Sequence, residues 1–220
     1  MPRSRLACFD LDNTLIDRDA AFLDWARWWS TEVGLGEVAV EWLVAHDNKG
    51  FTPRLELFAG LRESFGVAPT VDSYDREHPL FIQVDSAVLD GLGQLRAAGW
   101  RTAVVTNGTV LQQTLKLEHT GIATAVDFCC ISEAVGIHKP DARIFALAAE
   151  GAGAALDGWM VGDQPAHDIQ GGHNAGLHTI LIGSASGPPA PDHQVASIHE
   201  ALTLLRAMPD HPTARPCSEK

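Results

Sequence analysis

Two carboxylates close the first apolar run of the chain. Residues Leu6 to Leu15 read Leu-Ala-Cys-Phe-Asp-Leu-Asp-Asn-Thr-Leu, and the apolar stretch stops at Asp10 and Asp12. The run reads as a buried strand whose alternation sets the two acids near one another at its carboxyl end. Acids so placed repel each other unless a cation lies between them or one of them holds a proton. A Mg²⁺ ion meets the first condition, and a general acid/base role meets the second. The plainer alternative is an aspartate pair in a turn or N-cap, common after strands.

Three further segments end in polar groups of a matching kind. Arg101 to Gly108 reads Arg-Thr-Ala-Val-Val-Thr-Asn-Gly, an apolar run ending in the Thr106 hydroxyl, the Asn107 amide and a glycine. Gly136 to Asp141 reads Gly-Ile-His-Lys-Pro-Asp, which sets Lys139 just before a helix start. Trp159 to Ile169 carries Asp163 at the end of an apolar run, with Asp168 further on. Hydrolysis of a phosphate ester needs a nucleophile, a proton for the leaving alkoxide and positive charge around the transferring oxygens. These four segments supply groups of each type.

The elements that would bring them together follow from periodicity. Strands are expected at Thr102–Thr106, Phe128–Ser132, Gly158–Gly162 and His178–Ile182, with a weaker one near Gln194–Ala196. Helical patterns lie between them, near Val110–His119, Ala142–Glu150 and Ala166–Ala175. Such alternation predicts a doubly wound parallel α/β sheet with helices on both faces. In an open parallel sheet the strand carboxyl ends face one crevice, so the four segments converge there. Asp141 is the expected N-cap after Pro140, which leaves Lys139 extended.

The order of the motifs resembles that of the haloacid dehalogenase (HAD) superfamily of phosphohydrolases. Asp10-x-Asp12-x-Thr14, Thr106, Lys139 and Gly162-Asp163-x-x-x-x-Asp168 stand in the family's sequence, and the likeness runs from about residue 5 to about residue 205. The Ser132-Glu133-Ala134-Val135-Gly136 and Asn174-Ala175-Gly176 runs also look like the family. The resemblance implies that Asp10 is the nucleophile, forming an aspartyl-phosphate, and that Asp12 protonates the leaving oxygen and then deprotonates water. It implies Mg²⁺ held by the Asp10 carboxylate, the Asp12 backbone carbonyl and Asp163. Asp168 either reaches the metal through water or orients Lys139; the plain alternative is a surface acid at a helix start. Thr106, with the backbone N–H groups of Asn107 and Gly108, would bind the phosphate, and Lys139 would neutralise it.

Residues 17 to 83 break the alternation. Phe22, Trp25 and Trp29 recur at helical spacing in Ala20–Glu32, and further helical patterns fall near Val38–Ala45 and Pro53–Phe65. This stretch resembles the small all-α cap that HAD enzymes carry between their first and second motifs. The division expected is a Rossmann-like core of residues 1–16 and 84–208, a helical cap of 17–83, and a disordered tail of 209–220. Trp25, Trp28, Trp29 and Trp42 read as helix-bundle core more readily than as substrate stackers. Lys49, Arg54 and Arg62 are among the cap cations downstream of its first helix, and Lys49 is the first choice for contact with substrate. His138, His167 and His173 lie near the motifs without metal-ligand spacing, and His167 is placed nearest the site rim.

Composition narrows the partners. The formal net charge of −12 over 220 residues, with no basic run, argues against nucleic acid. It also means that the site must make its own positive potential to hold a phosphorylated metabolite. Cys8 and the Cys129-Cys130 pair lie in apolar runs and read as buried thiols. No stretch reaches membrane-spanning length, and the first strand begins where a signal peptide would stand. The expectation is a cytoplasmic enzyme that binds neither membrane nor nucleic acid. A sugar phosphomutase shares the motifs. A dehalogenase attacks carbon, and would leave Asp12, Asp163 and Asp168 unexplained. A phosphonate hydrolase would need a cap lysine, and Lys49 is the only one there. A binding protein with a dead site would not need the full set of motifs.

Overall fold

The computed structural model describes residues 5–184 and 187–208, so the expected tail at 209–220 and Cys217 lie outside the described residues. Six parallel strands form one sheet in the order β3-β2-β1-β4-β5-β6. They are β1 (Arg5–Phe9), β2 (Trp100–Thr106), β3 (Phe128–Ile131), β4 (Gly158–Gly162), β5 (His178–Ile182) and β6 (His193–Val195). The central strands are apolar on both faces, as a sheet covered on both sides requires. Ala7 and Phe9 of β1 join Leu92, Leu95, Leu117, Leu202 and Leu205 on one face. Leu6 and Cys8 join Ile144, Phe145 and Ala148 on the other.

The first five helices are α1 (Arg18–Glu32), α2 (Glu37–Asp47), α3 (Arg54–Phe65), α4 (Val71–Glu77) and α5 (Ser86–Ala97). Then come α6 (Val110–His119), the short turns α7 (Ile122–Ala125) and α8 (Ser132–Val135), α9 (Ala142–Gly151), α10 (Gln170–Asn174) and α11 (Ile198–Ala207). Helices α5, α6, α7 and α11 cover the first face of the sheet, and α9 the second. Helices α1 to α4 leave the sheet after β1 and share an apolar core of their own. In it Trp25 is fully buried and meets Tyr74 edge to face, with ring centroids 4.7 Å apart. Trp29 is buried there too, whereas Trp28 is 39% exposed and packs on Phe81.

Helix α5 is absent from the periodicity reading because Gly91 and Gly93 dilute its pattern. Gly91 has a packing reason: a Cβ there would lie 2.7 Å from Leu202 Cδ1 of α11, so the two helices approach too closely for a side chain. Helix α11, also unforeseen, follows the weakest strand. The single helix expected over Ala166–Ala175 is instead a π-helical turn, Pro165–Ile169, followed by α10. Its first turn bends so that the Asp168 carboxylate accepts the Gln164 backbone N–H at 2.9 Å.

Candidate active site

Register sets the site. Phe9 stands opposite Val104 of β2 and Val161 of β4, so the three strands end within two residues of one another. Asp10 follows β1, Thr106 ends β2 and Asp163 follows β4, at one crevice beside the central strand. Asn13, left-handed at φ 57°, then turns the chain away, and its side chain accepts the backbone N–H of Asp19 at 3.1 Å to tie down the start of α1.

Asp10, Lys139 and Asp168 form a buried chain. The Lys139 ammonium lies 2.5 Å from Asp10 Oδ1 and 2.7 Å from Asp168 Oδ1. Asp168 has no exposed surface, which does not fit the surface-acid alternative, and its carboxylate bonds Lys139 directly. Lys139 is 4% exposed, and its two carboxylate neighbours keep it charged despite burial. One ammonium does not balance the acids around it. Burial, opposed by Lys139 and aided by Asp168, pushes the Asp10 carboxyl up to about 8. Burial and the nearby Asp168 push Asp163 up to about 6. One oxygen from each of Asp10, Asp163 and Asp168 lies within 4.8 Å of the others, the only such acidic group among the described residues. An all-oxygen set with surplus negative charge fits a hard divalent cation.

Asp12 has different partners. Lys116 Nζ of α6 lies 2.8 Å from its Oδ1 and 2.9 Å from its Oδ2. Gln113 Nε2 donates to Asp12 Oδ2 at 3.0 Å and to the Thr106 hydroxyl at 2.6 Å. Burial alone would raise the Asp12 carboxyl, but Lys116 and Gln113 hold it below its ordinary value. Neither residue was singled out from sequence. A signal existed: Gln113, Lys116, Leu117 and Thr120 recur at the spacing of a buried helix stripe, where a lysine is out of place.

The second motif differs in detail from expectation. The Gly108 N–H donates to Ser132 Oγ at 3.0 Å rather than facing an anion. The Asn107 side chain grips the backbone of Lys139, donating to its carbonyl at 3.1 Å and accepting its N–H at 2.9 Å. Asn107 thus holds Lys139 in place, and its own backbone N–H is the one that remains beside Thr106.

A cavity of about 540 Å³ separates these groups from the helical unit. Its far wall carries Arg18, Lys49, Phe51, Arg54, Tyr74 and Asp75. Arg18 and Arg54 share the Asp47 carboxylate, which also accepts the Gly50 N–H at 2.8 Å. That anchor holds a loop in which Asn48 and Lys49 are both left-handed, at φ 49° and 53°. Phe51 on this loop meets the His167 ring at 5.7 Å, so His167 sits on the rim as expected. None of the tryptophans lines the cavity.

A sequence model of the haloacid dehalogenase-like hydrolase family matches residues 7–182. The chain is 39% identical over 111 residues to the pyrimidine 5'-nucleotidase YjjG of Escherichia coli (strain K12), a match spanning 48% of this chain and about half, 49%, of that protein. It is 30% identical over 210 residues to a phosphoserine phosphatase of Thermus thermophilus, covering 84% of this chain and 79% of that one. It is also 30% identical to (S)-2-haloacid dehalogenase 1 of a Pseudomonas species, over 65% of this chain and 66% of that one in a stretch of 152 residues. Among solved structures, the putative HAD-hydrolase YfnB of Bacillus subtilis, bound to magnesium, superposes with a TM-score of 0.71 at 21% identity, over 92% of this chain and 99% of that one. This last likeness is one of fold. No helix of the described residues is long and apolar enough to cross a membrane.

Proposed function

The chain belongs to the haloacid dehalogenase-like hydrolase family, and on that premise we propose that it is a Mg²⁺-dependent phosphatase of small phosphorylated metabolites. The observation that carries this reading is the buried Asp10–Lys139–Asp168 chain at the floor of a half-open cavity, with Asp163 beside it. Residues 17–83 act as the cap over a core of residues 1–16 and 84–208. A cavity of about 540 Å³ suits a small ester and excludes a folded phosphoprotein. Cys8 and Cys130, buried as free thiols, suit a reducing cytoplasm.

The mechanism follows from what each side chain offers. Asp10 attacks phosphorus and becomes an aspartyl-phosphate. Asp12 takes up a proton as the ester binds and hands it to the leaving oxygen. In the second half-reaction Asp12 removes a proton from the attacking water, and inorganic phosphate departs. Lys139 and the Thr106 hydroxyl hold the phosphoryl oxygens, with the Asn107 N–H beside them. Magnesium, held by Asp10, the Asp12 carbonyl and Asp163, would offset the repulsion between nucleophile and phosphoryl group. Dehalogenation at carbon leaves Asp12 and Asp163 without work, and the pairing of Asp12 with Lys116 has no purpose in that chemistry.

The test is release of inorganic phosphate from p-nitrophenyl phosphate and a panel of phosphorylated metabolites, with Mg²⁺ and with EDTA. Asp10→Asn should lower turnover at least about 10³-fold, or about 4 kcal/mol, while the protein stays folded. Full activity in EDTA, or halide release from a 2-haloacid, would overturn the reading. Phosphate moved to another position without release would point to a mutase.

A further inference from the structure

We propose that Gln113 and Lys116 of α6 are positioning residues that aim the Asp12 carboxylate at the leaving oxygen of the substrate. The inference rests on the phosphatase reading above and adds two residues to it.

The geometry is that of a clamp. The Lys116 ammonium straddles both Asp12 oxygens at 2.8 and 2.9 Å, and Gln113 Nε2 donates to Oδ2 at 3.0 Å. Three hydrogen bonds from two rigid donors leave the carboxylate one rotamer and one plane. Lys116 and Gln113 are 2% and 1% exposed, while the Asp12 side chain keeps 27% of its surface open to the cavity. The clamp therefore grips from behind and leaves the front free for a leaving group. Burying a lysine is costly unless it is paired, and Lys116 is paired with Asp12. Leu117 already secures α6 to the sheet.

Gln113 does a second thing. The same Nε2 donates to the Thr106 hydroxyl at 2.6 Å. An accepting Thr106 oxygen keeps its own proton for a donation into the cavity, toward a phosphoryl oxygen. One amide thus sets both the acid at the leaving end and the hydroxyl at the phosphoryl end. Gly108 makes room for it: a Cβ at that position would lie 2.9 Å from Gln113 Cγ.

The competing reading is that the Asp12–Lys116 pair merely fastens α6 to the turn after β1. Leaving groups separate the two. An activated aryl oxide departs without a proton, whereas an alkoxide needs one, so loss of a positioned acid harms alkyl esters alone. The experiment measures kcat/KM with Mg²⁺ for wild type, Lys116→Met and Gln113→Leu on 2,4-dinitrophenyl, p-nitrophenyl and phenyl phosphate and on β-glycerol phosphate. Positioned acid catalysis is worth about 10²–10⁴-fold. Lys116→Met should therefore cost the glycerol ester about 10²-fold or more and the dinitrophenyl ester less than about 5-fold. Gln113→Leu should lower kcat/KM on all four esters through the freed Thr106 hydroxyl and lower it further on the glycerol ester than on the dinitrophenyl ester, and that leaving-group trend carries the test if Lys116→Met does not fold. Lys116→Arg, which keeps the cation, should recover part of the loss on the glycerol ester. In an Asp12→Asn background, Lys116→Met should add less than about 2-fold, because a residue that acts through Asp12 has nothing left to act on. Equal losses on all four esters, or full additivity with Asp12→Asn, would overturn the clamp while leaving the phosphatase intact. A wild-type protein inert toward every ester would overturn the phosphatase reading and the clamp with it.

Discussion

Gly162 is the sharpest test of the site's architecture, because the perturbation is one methyl group. In Gly162→Ala the new Cβ would lie 2.2 Å from Asp168 Oδ2, 2.3 Å from its Cγ and 2.5 Å from its Cβ. Real contacts essentially never fall under 3.0 Å, so Asp168 must withdraw. It has nowhere to go: it is fully buried, and its oxygens hold the Lys139 ammonium at 2.7 Å and the Gln164 N–H at 2.9 Å. Overpacking costs about 1–3 kcal/mol, and a buried pair that loses a partner outright costs about 3–5 kcal/mol. Since the pair is loosened and not deleted, we expect about 3 kcal/mol in all. For a chain of this size that lowers Tm by roughly 6–12 °C. Lys139 moves with its partner, and a displacement on the ångström scale should cost about 10²-fold in kcat/KM. The assays are thermal unfolding and Mg²⁺-dependent hydrolysis of p-nitrophenyl phosphate. Gly93→Ala is the control. Gly93 is exposed within α5, and a methyl group added there would meet no atom within 4 Å, so alanine should stabilise by about 0.5–1 kcal/mol. A Gly162→Ala protein with wild-type Tm and rate would refute the claim that Asp168 and Lys139 are held by packing against β4.

EDTA should abolish activity and Mg²⁺ should restore it. Because Asp163 is raised to about 6, it gains a proton as pH falls through that value and loses its worth as a ligand, so Mg²⁺ affinity measured by calorimetry should weaken on acidification. Asp47→Asn should destabilise by about 3–5 kcal/mol at neutral pH, since Arg54 then loses its ion-pair partner and Arg18 keeps only the partly exposed Asp19 carboxylate. Burial alone would raise the Asp47 carboxyl, but Arg18 and Arg54 hold it below its ordinary value. Its contribution is thus present above the unfolded pKa, about 3.9, and lost as pH falls through the lower folded value. Urea midpoints should show wild type and variant converging in acid; a constant gap down to the lowest pH would count against the pair. Lys49→Ala should lower kcat/KM for the best substrate while leaving aspartyl-phosphate breakdown unchanged, and burst kinetics showing equal loss in both half-reactions would rule out a role in selecting the leaving group.

Much of the fold is written in local periodicity. The apolar runs ending at Asp10, Thr106 and Asp163 mark strands buried on both faces, and α6 spans the residues its pattern predicts, Val110–His119. Once the sheet is parallel, those strand ends share a crevice, so Asp10, Thr106, Lys139 and Asp163 meet for reasons the chain states locally. The helix over 166–175 was legible only in outline, because its first turn is bent by the carboxylate of Asp168, whose complete burial and bond to the Gln164 N–H no local pattern announces. Helix α5 was hidden by Gly91, whose reason is a contact with Leu202 far along the chain. The stripe on α6 marks Lys116 as out of place, but its pairing with Asp12 was equally out of reach. Lys116 lies 104 residues beyond it, and no pattern near Asp12 says which helix will cross behind it. The identity of the acids at the strand ends is local information, carried by residue type and spacing. What holds each acid, in which direction it faces and whether it keeps its charge depend on burial and on side chains delivered by other elements, and only tertiary packing supplies those.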